Sequence, residues 1–381
     1  MSDYIKKELL NEIESEVLAS INDISGSSSK EEKQTYFRKR RDLILQKNIR
    51  YISDNIGLLK KNTGDGRSID ISRIEPYLEI VNNPEQLRTF RLFRFLSTYP
   101  FSEQAGRRIK FFIRDRNHQN KPIMGIGCLS SPVINLGVRD RYIGWGSNDP
   151  FKYKRLKNVV ELSCAVAIPP YNLLCTGKLI ALVALSSELV QYYGEKYNDV
   201  NSYVLVLGTG LYGKNCTLFN RLKLEGEQAY EYLGNTRGFT HIHISPMLYE
   251  KIEKLANISR LHFYKGSQFF TNRRLKNIES VFYQMKTPYR KLLILPLTKA
   301  VFAASTAPNF VDYLLGKQEK AIHKTHGVES LVSSWKSRWM EMRMNKPEIA
   351  AAIRNFSLDM HYRTLGFSKS TTALPFPGGR R

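Results

Sequence analysis

Cysteines are few and widely spaced. Cys128, Cys164, Cys175 and Cys216 contain no C-x-x-C pair, so a zinc site built from them is not expected. No run approaches the ~20 apolar residues of a membrane span, and the longest, Leu179 to Leu185, has the length of a core segment. The opening residues, MSDYIKKELL, hold no signal-peptide hydrophobic region. These absences together give the expectation of a soluble protein of the reducing cytoplasm, without membrane contact. Clustered carboxylates of the kind that hold Mg²⁺ are also missing, because Asp140, Glu161, Glu195, Glu225 and Glu227 are scattered. Neither a metal nor a cofactor is expected, and no internal repeat is visible.

Acidic residues are scarce in another sense. The 381 residues include 35 Asp and Glu against 58 Lys and Arg, a net charge of +23. Such an excess favours polyanionic partners. Apolar residues make up 42% of the chain, enough to build a core rather than remain disordered. The cations fall in runs: Arg38 to Arg41; Arg107, Arg108, Lys110, Arg114 and Arg116; Lys152, Lys154, Arg155 and Lys157; and Arg273, Arg274 and Lys276. Aromatic side chains flank each run: Tyr36 and Phe37, Phe111 and Phe112, Phe151 and Tyr153, Phe269 and Phe270. Cations beside phosphates and rings stacked on bases are what single-stranded binding needs. The same pattern arises wherever an amphipathic element buries one face.

Hydrophobic periodicity divides the chain into three parts. A helix is expected over 4–22, where Ile5, Leu9, Ile13, Val17 and Ile21 form one stripe, and another over about 33–61, with short helices across 70–105. A mixed α/β region follows at 106–298. Its strand candidates are 108–114 and 122–129, joined as a hairpin, then 157–168, 203–207, 238–245 and 291–297, with a helix at 177–193. The last part, 299–381, is expected to be helical, with Leu331, Trp335 and Trp339 in a stripe and a loose tail.

Three motifs in the central region carry a family resemblance. Arg139-Asp140-Arg141-Tyr142-Ile143-Gly144-Trp145 is followed by Asn158-Val159-Val160 and an apolar strand ending in Ile168-Pro169. Gly210-Leu211-Tyr212-Gly213 precedes Asn220-Arg221-Leu222, and Tyr232 to Gly238 reads YLGNTRG. In order and spacing, residues of about 106–245 resemble the DruA family of Druantia anti-phage systems. Family members often carry an Arg in the strand after N-V-V, whereas this chain has Glu161-Leu162-Ser163-Cys164. The resemblance implies a GNAT-like central fold, a place in a multi-gene defence system and a large helicase-like protein as partner.

Several chemistries can be weighed on the residues alone. Acyl transfer needs a Gly-rich loop entering a helix to cradle a pyrophosphate; the segment 171–178 has one glycine, and 208–214 does not fit G-x-x-x-x-G-K-S/T. His241 and His243 share a strand face about 7 Å apart. With His323-Lys324-Thr325, His243-Ile244-Ser245 makes a pair of H-x-S/T tripeptides like those of 2H phosphoesterases, although Ser245 is also well placed as an N-cap. In the R-D-R segment, Arg139 and Arg141 could hold phosphates while Trp145 stacks, with Asp140 and Gly144 structural; equally, an Arg–Asp pair and a buried Trp could pin the loop. The leading expectation is a defence component that contacts nucleic acid, DNA first. The contacts would be Arg139, Arg141, Trp145, Lys152, Lys154, Arg155, Tyr212, Lys214, Arg221, His241, His243, Arg273 and Arg274. Two others stand beside it: an enzyme on a GNAT-like core acting on a nucleotide or nucleic acid, and a basic scaffold for acidic proteins.

Overall fold

The computed structural model describes residues 2–25, 29–98, 106–236, 240–241, 246–258, 279, 283, 294–295 and 298–359. Two compact units emerge, one from 1–36 with 237–298 and the other from 37–236 with 299–381.

Along the chain, α1 (Ser2–Ser25) is the helix expected over 4–22; Leu9, Ile13 and Val17 of its stripe are buried and Ile5 is exposed. The one helix expected over 33–61 is three: α2 (Lys30–Lys47), α3 (Ile49–Asp54) and α4 (Ile56–Asn62). Asn48 and Asn55 stand at the joints. Their side-chain amides donate back to the carbonyls of Ile44 and Tyr51 at 2.8 Å, competing with the helical ladder. A strand, β1 (Pro76–Ile80), lies where only helices are expected, followed by α5 (Pro84–Arg94). Asn83 and Gln86 close a capping box on α5, with Pro84 in the first turn. Then come β2 (Arg108–Asp115), β3 (Ile123–Ser130), α6 (Gly137–Ile143), α7 (Pro150–Arg155), β4 (Val159–Ala167), α8 (Thr176–Val183), α9 (Ser187–Tyr197) and β5 (Leu205–Gly210). The short β6 (Lys223–Leu224) and β7 (Glu227–Gln228) pair with each other ahead of β8 (Glu231–Asn235). The remainder is β9 (Thr240–His241), α10 (Pro246–Ile258), β10 (Ile294–Leu295), β11 (Ala300–Ser305), α11 (Phe310–Leu314), α12 (Val328–Trp335), α13 (Glu341–Met344) and α14 (Pro347–Arg354).

The larger unit is α/β. A seven-stranded mixed sheet has the order β1-β2-β3-β4-β5-β11-β8, with helices on both faces. Among the described strands of this sheet, β4 and β5 alone pair in parallel, over Val159–Glu161 and Leu205–Leu207. This topology is compatible with the GNAT-like core that the family resemblance implies. The boundaries expected at 105 and 298 do not follow the sheet. β1 and β11 lie outside that range and still complete the ladder, because β2 and β5 would otherwise present open edges.

Side-chain alternation distributes the core. Phe111 and Ile113 of β2, Val160 and Leu162 of β4 and Val206 of β5 meet α8, α9 and α12, with Trp335 and Trp339. On the opposite face, Phe112, Cys128 and Cys164 meet α5, while Val159, Leu205 and Leu207 meet α6 and α11. The expected stripe Leu331, Trp335 and Trp339 is wholly buried, and a π-helical turn at Lys336–Met340 keeps the second Trp inward. Gly127 of β3 pairs with Phe111 of β2, and a Cβ there would come within 2.1–2.6 Å of the Phe111 ring carbons. Gly127→Ala is therefore expected to cost about 1–3 kcal/mol in denaturant unfolding.

The cysteines divide by burial. Cys128 and Cys164 are buried, and burial pushes the Cys164 thiol up to about 12. Cys216 is exposed. Iodoacetamide at pH 8 is expected to alkylate Cys216 in the native protein and to reach Cys128 and Cys164 only with denaturant, as peptide mass mapping would read.

In the smaller unit, Leu9, Ile13 and Val17 of α1 are buried, as are Leu248, Ile252, Leu255 and Ala256 of α10. Lys251 of α10 bridges Glu12 and Glu16 at 3.0 and 2.5 Å. β9 and β10 form an antiparallel pair inside the strands expected at 238–245 and 291–297.

Candidate nucleic-acid interface

The R-D-R-x-I-G-W segment is built from α6 and its cap. Gly144 takes φ +92° and ends the helix, so the N–H groups of Gly144 and Trp145 both reach the Asp140 carbonyl, at 2.9 and 2.8 Å. Arg139 has no solvent exposure. Its guanidinium donates to Val133 O and Ile134 O at 2.7 Å and to Asp140 Oδ1 at 2.8 and 2.5 Å. Asp140 Oδ2 accepts from Lys152 Nζ at 2.9 Å, and that ammonium also donates to Asn135 Oδ1. Trp145 is buried, donates from Nε1 to Leu314 O at 3.1 Å and lies 5.6 Å from the Arg139 guanidinium. Arg155 is buried as well, donating to Gln318 O at 2.7 Å over the Tyr313 ring.

Four expected contact residues are thus placed in the interior. Arg139, Lys152 and Arg155 spend their donors on protein acceptors, and Trp145 has no face free to stack. One carboxylate, Asp140, serves two buried cations, which makes the segment a pin for the loop between β3 and β4. Arg141 and Lys154 remain exposed.

The second basic run is absorbed only in part: Arg114 is buried, Arg107, Arg108 and Lys110 are half-buried, and Arg116 is exposed. Arg114 donates to Glu79 at 2.5 Å and to Asn62 at 2.9 Å, Arg107 lies over Tyr197, Arg116 pairs with Glu75 and Lys110 sits over Phe90. Lys157 pairs with Asp199 at 3.0 Å. Sequence spacing shows such runs but not which way each side chain points.

The first run behaves differently. Phe37 of α2 is buried edge-on to Tyr212, with ring centroids 6.3 Å apart. Burial pushes the Tyr212 hydroxyl up, while a Thr98 hydrogen bond and the nearby Arg38 charge act the other way. Arg38 and Lys39 are exposed beside this contact. Lys214, also exposed, holds its ammonium 4.8 Å from the Tyr232 ring. Arg221 is exposed at φ +57°. The Phe37–Tyr212 contact thus brings the α2 run to the loop after β5, and Lys214 joins that loop to β8, while the Arg221 charge acts on Lys178 of α8.

A polar band lies beneath. Glu161 is the last residue of the β4–β5 parallel pairing and accepts from Thr209 Oγ1 at 3.5 Å. Burial pushes its carboxyl up, against the pull of Lys299 and Arg139. Burial holds Lys299 down; Glu161 acts to raise it and Arg40 of α2 to lower it. Lys299 is tied to β8 by reciprocal bonds with Thr236, Thr236 N to Lys299 O at 2.9 Å and Lys299 N to Thr236 Oγ1 at 3.0 Å. Glu161 and Lys299 were not among the expected contacts. Glu161 showed only as a polar residue inside an apolar strand run, and Lys299 fell in a stretch expected to be helical.

The remaining expected residues are His241, His243, Arg273 and Arg274. His241 lies in β9, and nothing is described of its side chain; His243, Arg273 and Arg274 lie outside the described residues. His323 has Nε2 2.9 Å from Asn201 O and Nδ1 3.4 Å from Thr306 Oγ1, so both ring nitrogens are engaged. Among the described residues, no group of three or more His, Cys, Asp or Glu could hold a metal ion. Likewise no described helix is long and apolar enough to cross a membrane.

The family model for Druantia protein DruA matches residues 27–306. The chain belongs to the DruA family. The match reaches well beyond the 106–245 motifs, taking in α2, β1 and β11. Druantia protein DruA of Escherichia coli (strain UMEA 4076-1) is 28% identical over 318 residues, covering 79% of this chain and 77% of that protein. No solved structure matches. Membership in the DruA family supports a role as an anti-phage defence component within a multi-component system.

Proposed function

We propose that this DruA-family chain contacts nucleic acid, DNA first, through the surface formed by Arg38, Lys39, Tyr212 and Lys214, and that it acts with a helicase-like component of the same system. The carrying observation is the convergence of sequence-distant, exposed cations beside the half-buried rings of Tyr212 and Tyr232, where the buried Phe37 packs on Tyr212 and Lys214 lies over Tyr232. Exposed cations keep their donors for phosphates, and rings beside them offer stacking faces. The net charge of +23 supports association through long-range attraction. Binding of the full chain to single- and double-stranded DNA and RNA across a salt series tests this. Affinity should fall linearly in log Kd against log salt. Absence of binding at low salt would remove the reading.

A second reading, an enzyme on a GNAT-like core acting on a nucleotide, is favoured by one observation. Glu161 is a half-buried carboxyl that desolvation pushes upward beside Thr209 and Lys299, and carboxyls shifted in this way are candidates for acid–base work. The two readings separate on Glu161→Gln. As a binding component the chain retains phage protection with this variant. As an enzyme it loses protection while nucleic-acid binding and folding persist.

A further inference from the structure

β1 is one outer strand of the sheet and β8 the other. The N–H of Val81 donates to Lys110 O and the N–H of Arg116 to Glu75 O, at 2.9 and 2.8 Å. In an antiparallel ladder this parity turns residues 75, 77, 79 and 81 toward β2, so the backbone groups of Leu78 and Ile80 point outward. Those two residues have no backbone partner on that side among the described residues. Pro76 adds an outward carbonyl and no N–H.

The edge opens into a groove of about 940 Å³ between β1, α9 and α12. Its floor is apolar, with Leu78, Ile80 and Val332. Its charge is opposite to that of the whole molecule. Five glutamates line it against two cations, Arg116 and Lys336, and Arg116 is already paired with Glu75. Glu329 and Glu341 are exposed and have no ion-pair partner among the described residues. In a chain of net charge +23, a local acidic groove repels nucleic acid and attracts a cationic segment.

We propose that this groove receives an extended, Lys- or Arg-bearing segment of a partner protein, added to the sheet as a strand beside β1. Main-chain bonds to Leu78 and Ile80 supply register. Apolar side chains of the segment meet the floor, and alternate basic side chains meet the glutamate rim. This interaction is independent of nucleic-acid contact and would use a different face of the sheet's edge.

The test uses the full chain and a fluorescein-labelled peptide alternating Val and Lys over about eight residues, the length of a short strand. Fluorescence anisotropy at low salt should detect saturable binding. Glu329→Lys with Glu341→Lys should weaken it by at least tenfold with unchanged circular dichroism. The control pair Glu253→Lys with Glu319→Lys makes the same change in net charge elsewhere and should leave it within twofold. N-methylation of alternate peptide amides, which removes the donors facing β1 without touching the protein, should abolish binding in one of the two registers. The proposal is overturned if the peptide does not bind, if both charge-reversal pairs weaken it equally, or if neither N-methylated register loses affinity.

Discussion

Asp140→Ala is expected to lower the stability of the protein by about 3–5 kcal/mol, the cost of breaking a buried ion pair by removing one partner. The carboxylate is the shared acceptor for Arg139 and Lys152, whose side chains are 0% and 2% exposed. Without it, two buried cations lose their counter-charge, and Leu136 N loses an acceptor at 3.3 Å. Replacing the cations is gentler on paper, but Arg139→Ala leaves the carbonyls of Val133 and Ile134 without their donor, so it too should destabilise. Arg141→Ala, at an exposed position in the same motif, should leave the midpoint of thermal unfolding unchanged. A melting series on these three variants reads the result. Equal stability of Asp140→Ala and the parent would mean that the segment does not pin the fold.

The second large effect concerns binding. Arg38→Glu, Lys39→Glu and Lys214→Glu together are expected to weaken nucleic-acid affinity by about 10²-fold near 0.1 M salt. All three side chains are exposed, so the fold should be retained. Each phosphate contact removed should flatten the slope of log Kd against log salt by about one unit for duplex DNA. A variant that weakens uniformly without a change of slope would indicate a loss other than phosphate contact. The same substitutions placed at Lys152 or Arg155 would give a different outcome: those residues are buried and bonded, so their replacement should cost folding first.

The α1 stripe was legible because Leu9, Ile13 and Val17 recur on one face and pack on an amphipathic partner. The β2–β3 hairpin was legible because both runs are long, apolar and separated by turn residues. β11 was not, because Ala300-Val301-Phe302-Ala303-Ala304 is rich in alanine and reads as helix until β5 and β8 pair with it on both sides. β1 was hidden by its length and by Pro76 at its start, a position that suits an edge strand.

The site was legible in part. The R-D-R-x-I-G-W segment stood out in the sequence, and the alternative of a structural pin is the one its geometry matches. Residue type alone could not separate a phosphate-facing Arg from one turned inward, because both have the same donors and the same neighbours in sequence. Asp140 decides the matter by drawing in a cation from α6 and another from α7. The surface around Tyr212 carried the reverse difficulty. Its parts are far apart in the chain, and only the packing of Phe37 on Tyr212 brings the first basic run to the loop after β5.

Photo-crosslinking locates the nucleic-acid contact most directly. The full chain would be irradiated with single-stranded DNA carrying 5-bromouracil, digested, and mapped by mass spectrometry. Crosslinks to Tyr212, Tyr232 or the peptide that contains Arg38 and Lys39, with none to the buried Trp145, are the predicted result. Crosslinks confined to other surfaces, or a principal crosslink at Trp145, would contradict it.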